Sequence, residues 1–234
     1  MYGHSETQLP TSTVENYLKQ LYLEQSATNA DLVSMGRLAN VMGVVPGTAT
    51  SMVKALSDSG LVTYEPRGGV RLTPSGQQLA LHVLRRHRLI ELFLVKVLGL
   101  NWSEVHEEAD QLEHAVSDRV LDGIDTLLGH PEVDPHGDPI PTARGDVKEP
   151  PRQSLQDCEI GSPQRITRIV DQRPDFLRFV ERSGLKPGAT IRVQGREAAG
   201  DAVTVRVSDA RTIALGSTAA SKILVEPTEA RGPC

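Results

Sequence analysis

The chain is poor in cysteine, with only Cys158 and Cys234 among its 234 residues. No CxxC or zinc-finger spacing is present, so neither a disulfide framework nor a thiolate zinc site is indicated. Long apolar runs are missing too, and the longest is far too short to span a bilayer. The first residues, MYGHSETQLP, lack the basic-then-apolar pattern of a secretory signal. These absences predict a soluble cytoplasmic protein that makes no membrane contact. An excess of basic charge is also lacking. The formal net charge of −5 argues against a nonspecific nucleic-acid binder, but leaves open specific DNA binding by a local surface. No internal repeat is visible. The length suffices for a sizeable core and two or three small domains.

What is present begins with helix signals. Ser12 with Glu15 has capping-box spacing, and TVENYLKQLYLEQ follows with Tyr17, Leu18, Leu21 and Tyr22 on one face. Ser34 opens a second predicted helix, MGRLANVM, which Gly43 ends. Pro46 suits the first turn of a third, which Gly60 ends. In that helix Ala49, Met52, Val53 and Leu56 point inward, leaving Thr48, Thr50, Ser51 and Lys54 outward. LVTYEPRGGVRLT then reads as two short strands around the turn Pro66–Gly69. Helix, helix, helix, hairpin is the winged helix-turn-helix order. The outward Thr48, Thr50, Ser51 and Lys54 are candidate contacts to phosphates and base edges. Arg67 and Arg71 of the hairpin are candidates for the backbone or minor groove. The competing reading is a three-helix packing unit with an ordinary polar face, because topology alone does not settle function.

Thr73-Pro74 starts a long helix reaching Gly99. Asn101 with Glu104 gives a second capping-box pattern, opening a helix that bears HEEADQLEH, and a third helical run covers Asp118–Leu128. From Gly129 to Gly161 the composition shifts to Pro, Gly, Asp and Arg, which reads as a linker or extended arm rather than a packed element. RITRIV, a helix around Asp175–Arg182, and the short alternating runs TIRVQ, VTVRVS, RTIAL and KILVE suggest a small β-barrel. The fold class expected is mainly α with small β parts.

The chemistry concentrates in HEEADQLEH. On a helix, His106, Asp110, Glu113 and His114 fall on one stripe. His87 and Glu91 repeat the one-turn spacing in the preceding apolar helix. Two adjacent helices with inward imidazoles and carboxylates can hold a divalent metal, whereas burying such groups unpaired is costly. Oxygen plus imidazole donors suit Mn(II), Fe(II) and other first-row ions. The bland alternative is a solvated acidic face with incidental histidines. In DPHGDPIP, Asp134, His136 and Asp138 either ligate a metal or are simply the residues a turn needs. Asp171 and Asp175 suit a helix cap. A metallohydrolase would use the same donors, but it also needs an open coordination position and a substrate cleft. A regulator with no small-molecule substrate, and not an enzyme, is the preferred reading.

The runs VENYLKQLYLE, LTPSGQQLA, RRHRLIELFL, EVHEEADQLEHAVSD, PHGDPIP and RITRIV together resemble the DtxR/MntR family of metal-dependent transcriptional regulators over nearly the whole chain. The resemblance implies a winged helix-turn-helix DNA-binding domain at 1–73 and a helical metal-binding and dimerisation domain at 74–140. It further implies a linker at 141–160 and an SH3-like (FeoA-like) domain at 161–228. It implies a cytoplasmic homodimer on a palindromic operator, repressing genes of metal homeostasis. One metal site would comprise Asn16, Asp110, Glu113 and His114. A second would comprise His87, Glu91 and His106, completed by Asp171 rather than Asp175 from the C-terminal domain, with Asp134 and His136 joining as in some manganese-responsive members. Iron-responsive members carry Met and Cys where this chain has Asn16 and Asp110, so oxygen donors here favour Mn(II), with Fe(II) or Co(II) as alternatives. Manganese-responsive members usually have Asp where Asn16 stands, and some short members have a Glu where Lys19 stands. A protonated Lys cannot ligate, which argues against the two-metal cluster of those short members.

Overall fold

The computed structural model describes residues 11–28, 30–148, 153–208 and 211–228. The MYGHSETQLP run, Cys234 and positions 149–152 of the expected linker lie outside them. Contacts divide the chain into two units: residues up to Arg86 with Pro141–Asp146, and His87–Ile140 with the residues from Val147 onward.

The first unit opens with α1 (Ser12–Thr28), α2 (Met35–Val41), α3 (Pro46–Asp58) and the hairpin β1 (Val62–Glu65) and β2 (Gly69–Leu72). Thr11, rather than Ser12, starts α1: its carbonyl accepts from Glu15 N at 3.0 Å and its hydroxyl from Val14 N at 3.4 Å. Ser34 caps α2 as expected, accepting from Arg37 N at 3.2 Å. Pro46 stands in the first turn of α3. Leu18, Leu21, Leu38, Ala49, Val53 and Leu56 close the core between these helices, as their spacing predicts. In the hairpin Glu65 pairs with Gly69, and Val33 bridges to Val70, so the wing is anchored to the segment before α2.

The helix α4 (Pro74–Lys96) runs unbroken through the stretch bearing His87 and Glu91. Thr73 starts it, its hydroxyl donating to the Gly60 carbonyl and accepting from Gly76 N. Gly76 lies against the Leu61 carbonyl so closely that a Cβ would sit 1.9 Å from the oxygen.

The second unit adds α5 (Val105–Leu112) and α6 (Asp118–Leu127). The expected cap at Asn101 is not used that way. Asn101 Oδ1 accepts from Ser103 N at 2.9 Å, a local turn, and α5 starts only at Val105. After α6 the chain enters the Pro- and Gly-rich run, which is not the unpacked arm expected: Asp134, His136, Asp138, Ile140, Leu155 and Cys158 in it are all buried. The C-terminal part comprises β3 (Pro163–Ile169), α7 (Pro174–Ser183), β4 (Thr190–Glu197), β5 (Ala202–Ser208), β6 (Arg211–Gly216), α8 (Ser217–Ala220) and β7 (Ile223–Pro227). The strands form one antiparallel sheet in the order β6-β5-β4-β3-β7. Alternation places Ile191, Val193, Val203 and Val205 in its core and turns Arg192 and Arg206 outward.

Candidate metal centre

Three segments of the second unit converge. α4 contributes His87 and Glu91, one turn apart on its buried side. α5 contributes His106 and Asp110, likewise one turn apart. That helix ends at Leu112, so Glu113 is its C-cap and His114 lies in the turn beyond. The single stripe expected from HEEADQLEH is therefore split between a helix and its exit. The turn after α6 contributes Asp134 and His136.

The side chains form one continuous cluster. His87 Nε2 lies 3.0 Å from Glu91 Oε1 and 3.0 Å from His106 Nδ1. His87 Nδ1 lies 2.6 Å from Glu113 Oε2 and 3.3 Å from Asp110 Oδ1. His114 Nε2 stands 3.2 Å from Glu113 Oε1. On the far side of Glu91, His136 Nδ1 is 3.8 Å from Glu91 Oε2 and 3.9 Å from Asp134 Oδ1. Among the described residues, two groups have donor atoms within 4.8 Å of one another: His87, His106 and Asp110, and Glu91, Asp134 and His136. This partition differs from the one the resemblance implies, because Asp110 faces His87 and His106.

His136 is the most telling member. Its Nε2 lies 2.8 Å from the Trp102 carbonyl oxygen, which can only accept, so Nε2 carries a proton. Its ring stacks on Trp102 with centroids 5.5 Å apart. Nδ1 then faces the two carboxylates, is buried, and has no hydrogen-bond partner among the described residues. A ring fixed by a carbonyl through one nitrogen, with the other aimed at carboxylates, is how proteins orient a metal-ligating imidazole. Burial works to lower the His136 pKa, but Asp134, Glu91 and the Trp102 carbonyl outweigh it and bring it to about 9. Asp134 is raised by burial and then by the neighbouring Asp138. Burial opposes the charge on Glu91, yet His87, His106 and His136 hold it well below the ordinary carboxylate range.

The donor chemistry fits a divalent cation. Four carboxylates (Glu91, Asp110, Glu113, Asp134) meet four imidazoles, and with neutral imidazoles this is concentrated negative charge, much of it buried. All donors are oxygen or imidazole nitrogen. The one described thiol, Cys158, is buried in the core of the C-terminal sheet.

Other expected residues are placed as follows. Asn16 is half-buried on α1, in the first unit. The Asp171 carboxylate is taken by Arg173 at 2.7 Å and Lys222 at 2.9 Å, contacts that, Arg173 first, hold it well below its usual range. Asp175, with its side chain 97% exposed, pairs with Arg178 at 2.7 Å. Neither belongs to the two groups above. On α3, Thr48, Ser51 and Lys54 are exposed and Thr50 is half-buried. The Thr50 and Ser51 hydroxyls donate to the Pro46 and Gly47 carbonyls. Arg67 is exposed at the wing tip with φ 69°. Arg71 pairs with Glu65 at 3.2 Å and Asp31 at 3.4 Å. Sequence reasoning missed Trp102, whose only signal is its place beside Asn101, and Arg88, which lies inside the RRHRLIE run but was given no role.

A winged helix-turn-helix followed by helices that gather imidazoles and carboxylates is the build of a metal-responsive DNA-binding regulator. Comparison with known proteins agrees. Residues 10–70 match the iron dependent repressor N-terminal DNA binding domain, residues 73–142 its metal binding and dimerisation domain, and residues 153–227 the FeoA domain. The iron-dependent repressor IdeR of Mycobacterium tuberculosis is 30% identical over 227 residues, covering 92% of this chain and 96% of its own. The transcriptional regulator MntR of Lysinibacillus sphaericus is 29% identical over 129 residues, 53% of this chain and 91% of its own. A solved manganese-dependent transcriptional repressor in complex with manganese superposes with a TM-score of 0.82 at 42% identity, over 92% of this chain and 100% of that one. The chain belongs to the DtxR/MntR family of metal-dependent transcriptional repressors, with the SH3-like FeoA domain at its C-terminus. Relatives of this kind are DNA-binding repressors rather than enzymes, so the metallohydrolase reading falls away. No helix among the described residues is long and apolar enough to cross a membrane.

Proposed function

We propose that this protein is a Mn(II)-activated repressor of metal-homeostasis genes, acting in the cytoplasm as a homodimer on a palindromic operator. The observation that carries it is His136, with Nε2 held by the Trp102 carbonyl and Nδ1 aimed between Glu91 and Asp134. An imidazole set this way among oxygen donors, with no sulfur in the cluster, suits Mn(II) better than softer ions. Glu91, Asp134 and His136 would hold one ion, and His87, His106 and Asp110 another, with Glu113 and His114 beside the second group. The resemblance adds Asn16, whose amide oxygen can ligate but brings no charge. Asp171 is bound to Lys222 and Arg173 and would have to leave them to take part.

When bound, the ion supplies the positive charge that lets these carboxylates face one another without repulsion. The residues do the rest. His87 and Glu91 on α4 are tied to His106 and Asp110 on α5, so ordering the cluster orders the helices that carry it. In a dimer this would narrow the distribution of distances between the two recognition helices toward one DNA turn, about 34–36 Å. Thr48, Thr50, Ser51 and Lys54 of α3 would face the major groove, with Arg67 and Arg71 on the flanking backbone.

The test is a gel-shift titration on duplexes enriched from a random library by the Mn(II)-loaded protein. Binding is expected with Mn(II) and lost in EDTA; equal affinity in EDTA overturns the proposal. The likeness to IdeR favours Fe(II) as the second reading. Parallel anaerobic titrations with Fe(II) decide between the two ions.

A further inference from the structure

Asp138 is 2% exposed, and neither metal centre proposed above uses it, although the sequence offered it as a ligand of the turn. It sits two residues beyond His136, in the same turn. Its carboxylate accepts from Gln172 Nε2 at 2.5 Å and meets the Arg168 guanidinium, both supplied by the C-terminal segment at and just after β3. On the other side Arg88 of α4, next in sequence to His87, stands 3.6 Å from Asp138 Oδ1 and donates to the Pro139 carbonyl. Burying an acid and a guanidinium is favourable only if both are paired, so the three groups hold one another in place. The backbone contacts are equally restrictive. Ile169 N donates to the His136 carbonyl at 2.9 Å. Gly137, at φ +88°, lies so close to β3 that a Cβ would be 1.9 Å from the Thr167 oxygen.

The turn carrying Asp134 and His136 is thus shaped from within by Asp134, whose Oδ1 accepts from His136 N and Asp138 N. It is pinned from outside by β3. We propose that Asp138, clasped by Arg168 and Gln172, is a positioning residue for the Glu91–Asp134–His136 centre. The FeoA domain then sets metal affinity at that centre without lending it a ligand. This rests on the metal centres assigned above. It gives the C-terminal domain a role in metal sensing distinct from supplying Asp171 or Asp175. A change in the sheet near Arg168 would reach His136 through the Asp138 carboxylate as well as through the Ile169 N–H on the His136 carbonyl.

The experiment uses the full chain and Mn(II) alone, followed by calorimetric titration and by electron paramagnetic resonance of the bound ion. Arg168→Met removes the clasp from a partly exposed position, Gln172→Met removes the second donor, and Arg168→Lys keeps the charge. Losing an outer partner of a ligand set typically weakens metal binding about 10–100-fold. Arg168→Met and Gln172→Met are expected to weaken one Mn(II) site by that factor and alter its spectrum. The other site should keep its affinity, and Arg168→Lys should restore part of the loss. Equal weakening of both sites, as general destabilisation would produce, overturns the proposal, as does wild-type affinity at both. If the wild-type protein itself binds no Mn(II), the parent assignment fails instead, and the two failures are told apart by that control.

Discussion

Metal binding at His136 should expel a proton. A proton and a metal compete for Nδ1, because the other nitrogen is committed to the Trp102 carbonyl. In the metal-free protein Asp134 and Glu91 overcome burial and raise the ring pKa to about 9. At pH 7 the ring is then mostly protonated, and removing that proton costs a few kcal/mol, at about 1.4 kcal/mol per pH unit. Raising the pH from 7 toward 9 removes the competing proton, so apparent Mn(II) affinity at this centre should climb about tenfold per unit and level off above about 9. Calorimetric titration at pH 7.5 in buffers of different ionisation enthalpy should show close to one proton released per ion at this centre. His136→Asn should abolish that release and flatten the pH profile. Affinity that stays constant between pH 7 and 8.5, with no proton released, would refute the assignment of His136 as a ligand.

Three further outcomes are expected. Asp110→Asn, a nearly isosteric loss of charge beside His87 and His106, should weaken Mn(II)-dependent operator binding by tenfold or more while leaving the melting temperature in EDTA within a few degrees; unchanged activation would remove Asp110 from the centre. Lys54→Ala, at an exposed position on α3, should reduce the slope of log affinity against log salt by about 1 without altering sequence preference, as loss of one phosphate contact would. Gly76→Ala should destabilise the winged-helix unit by about 1–3 kcal/mol in urea denaturation, because the new methyl meets the Leu61 carbonyl; a neutral result would mean that the start of α4 moves freely.

The helices of the first unit were legible because their signals are local. Ser34, Pro46 and Thr73 act within one turn of where they stand, and the inward row Ala49, Val53 and Leu56 needs only helical periodicity. Asn101 misled for the same reason: its amide oxygen had a nearer donor in Ser103 and closed a turn instead of capping a helix. The Pro- and Gly-rich run misled more deeply. Composition reports how freely a segment can turn, not what lies against it. Asp134, His136 and Asp138 are buried by Arg88, Trp102 and Arg168, which stand at least 30 positions away in sequence. The residues singled out by spacing in HEEADQLEH and RRHRLIE do lie together in one cluster. The spacing could not say that α5 stops at Leu112, leaving Glu113 and His114 off the helix, with His87 reaching both Asp110 and Glu113.

The central claim is that Mn(II) is held by these imidazoles and carboxylates. Anomalous diffraction from a crystal of the full chain soaked in Mn(II) tests it most directly. One peak is expected within bonding distance of His136 Nδ1, Glu91 and Asp134, and a second among His87, His106 and Asp110. A map with no peak beside His136, or with manganese bound only at surface carboxylates, would contradict it.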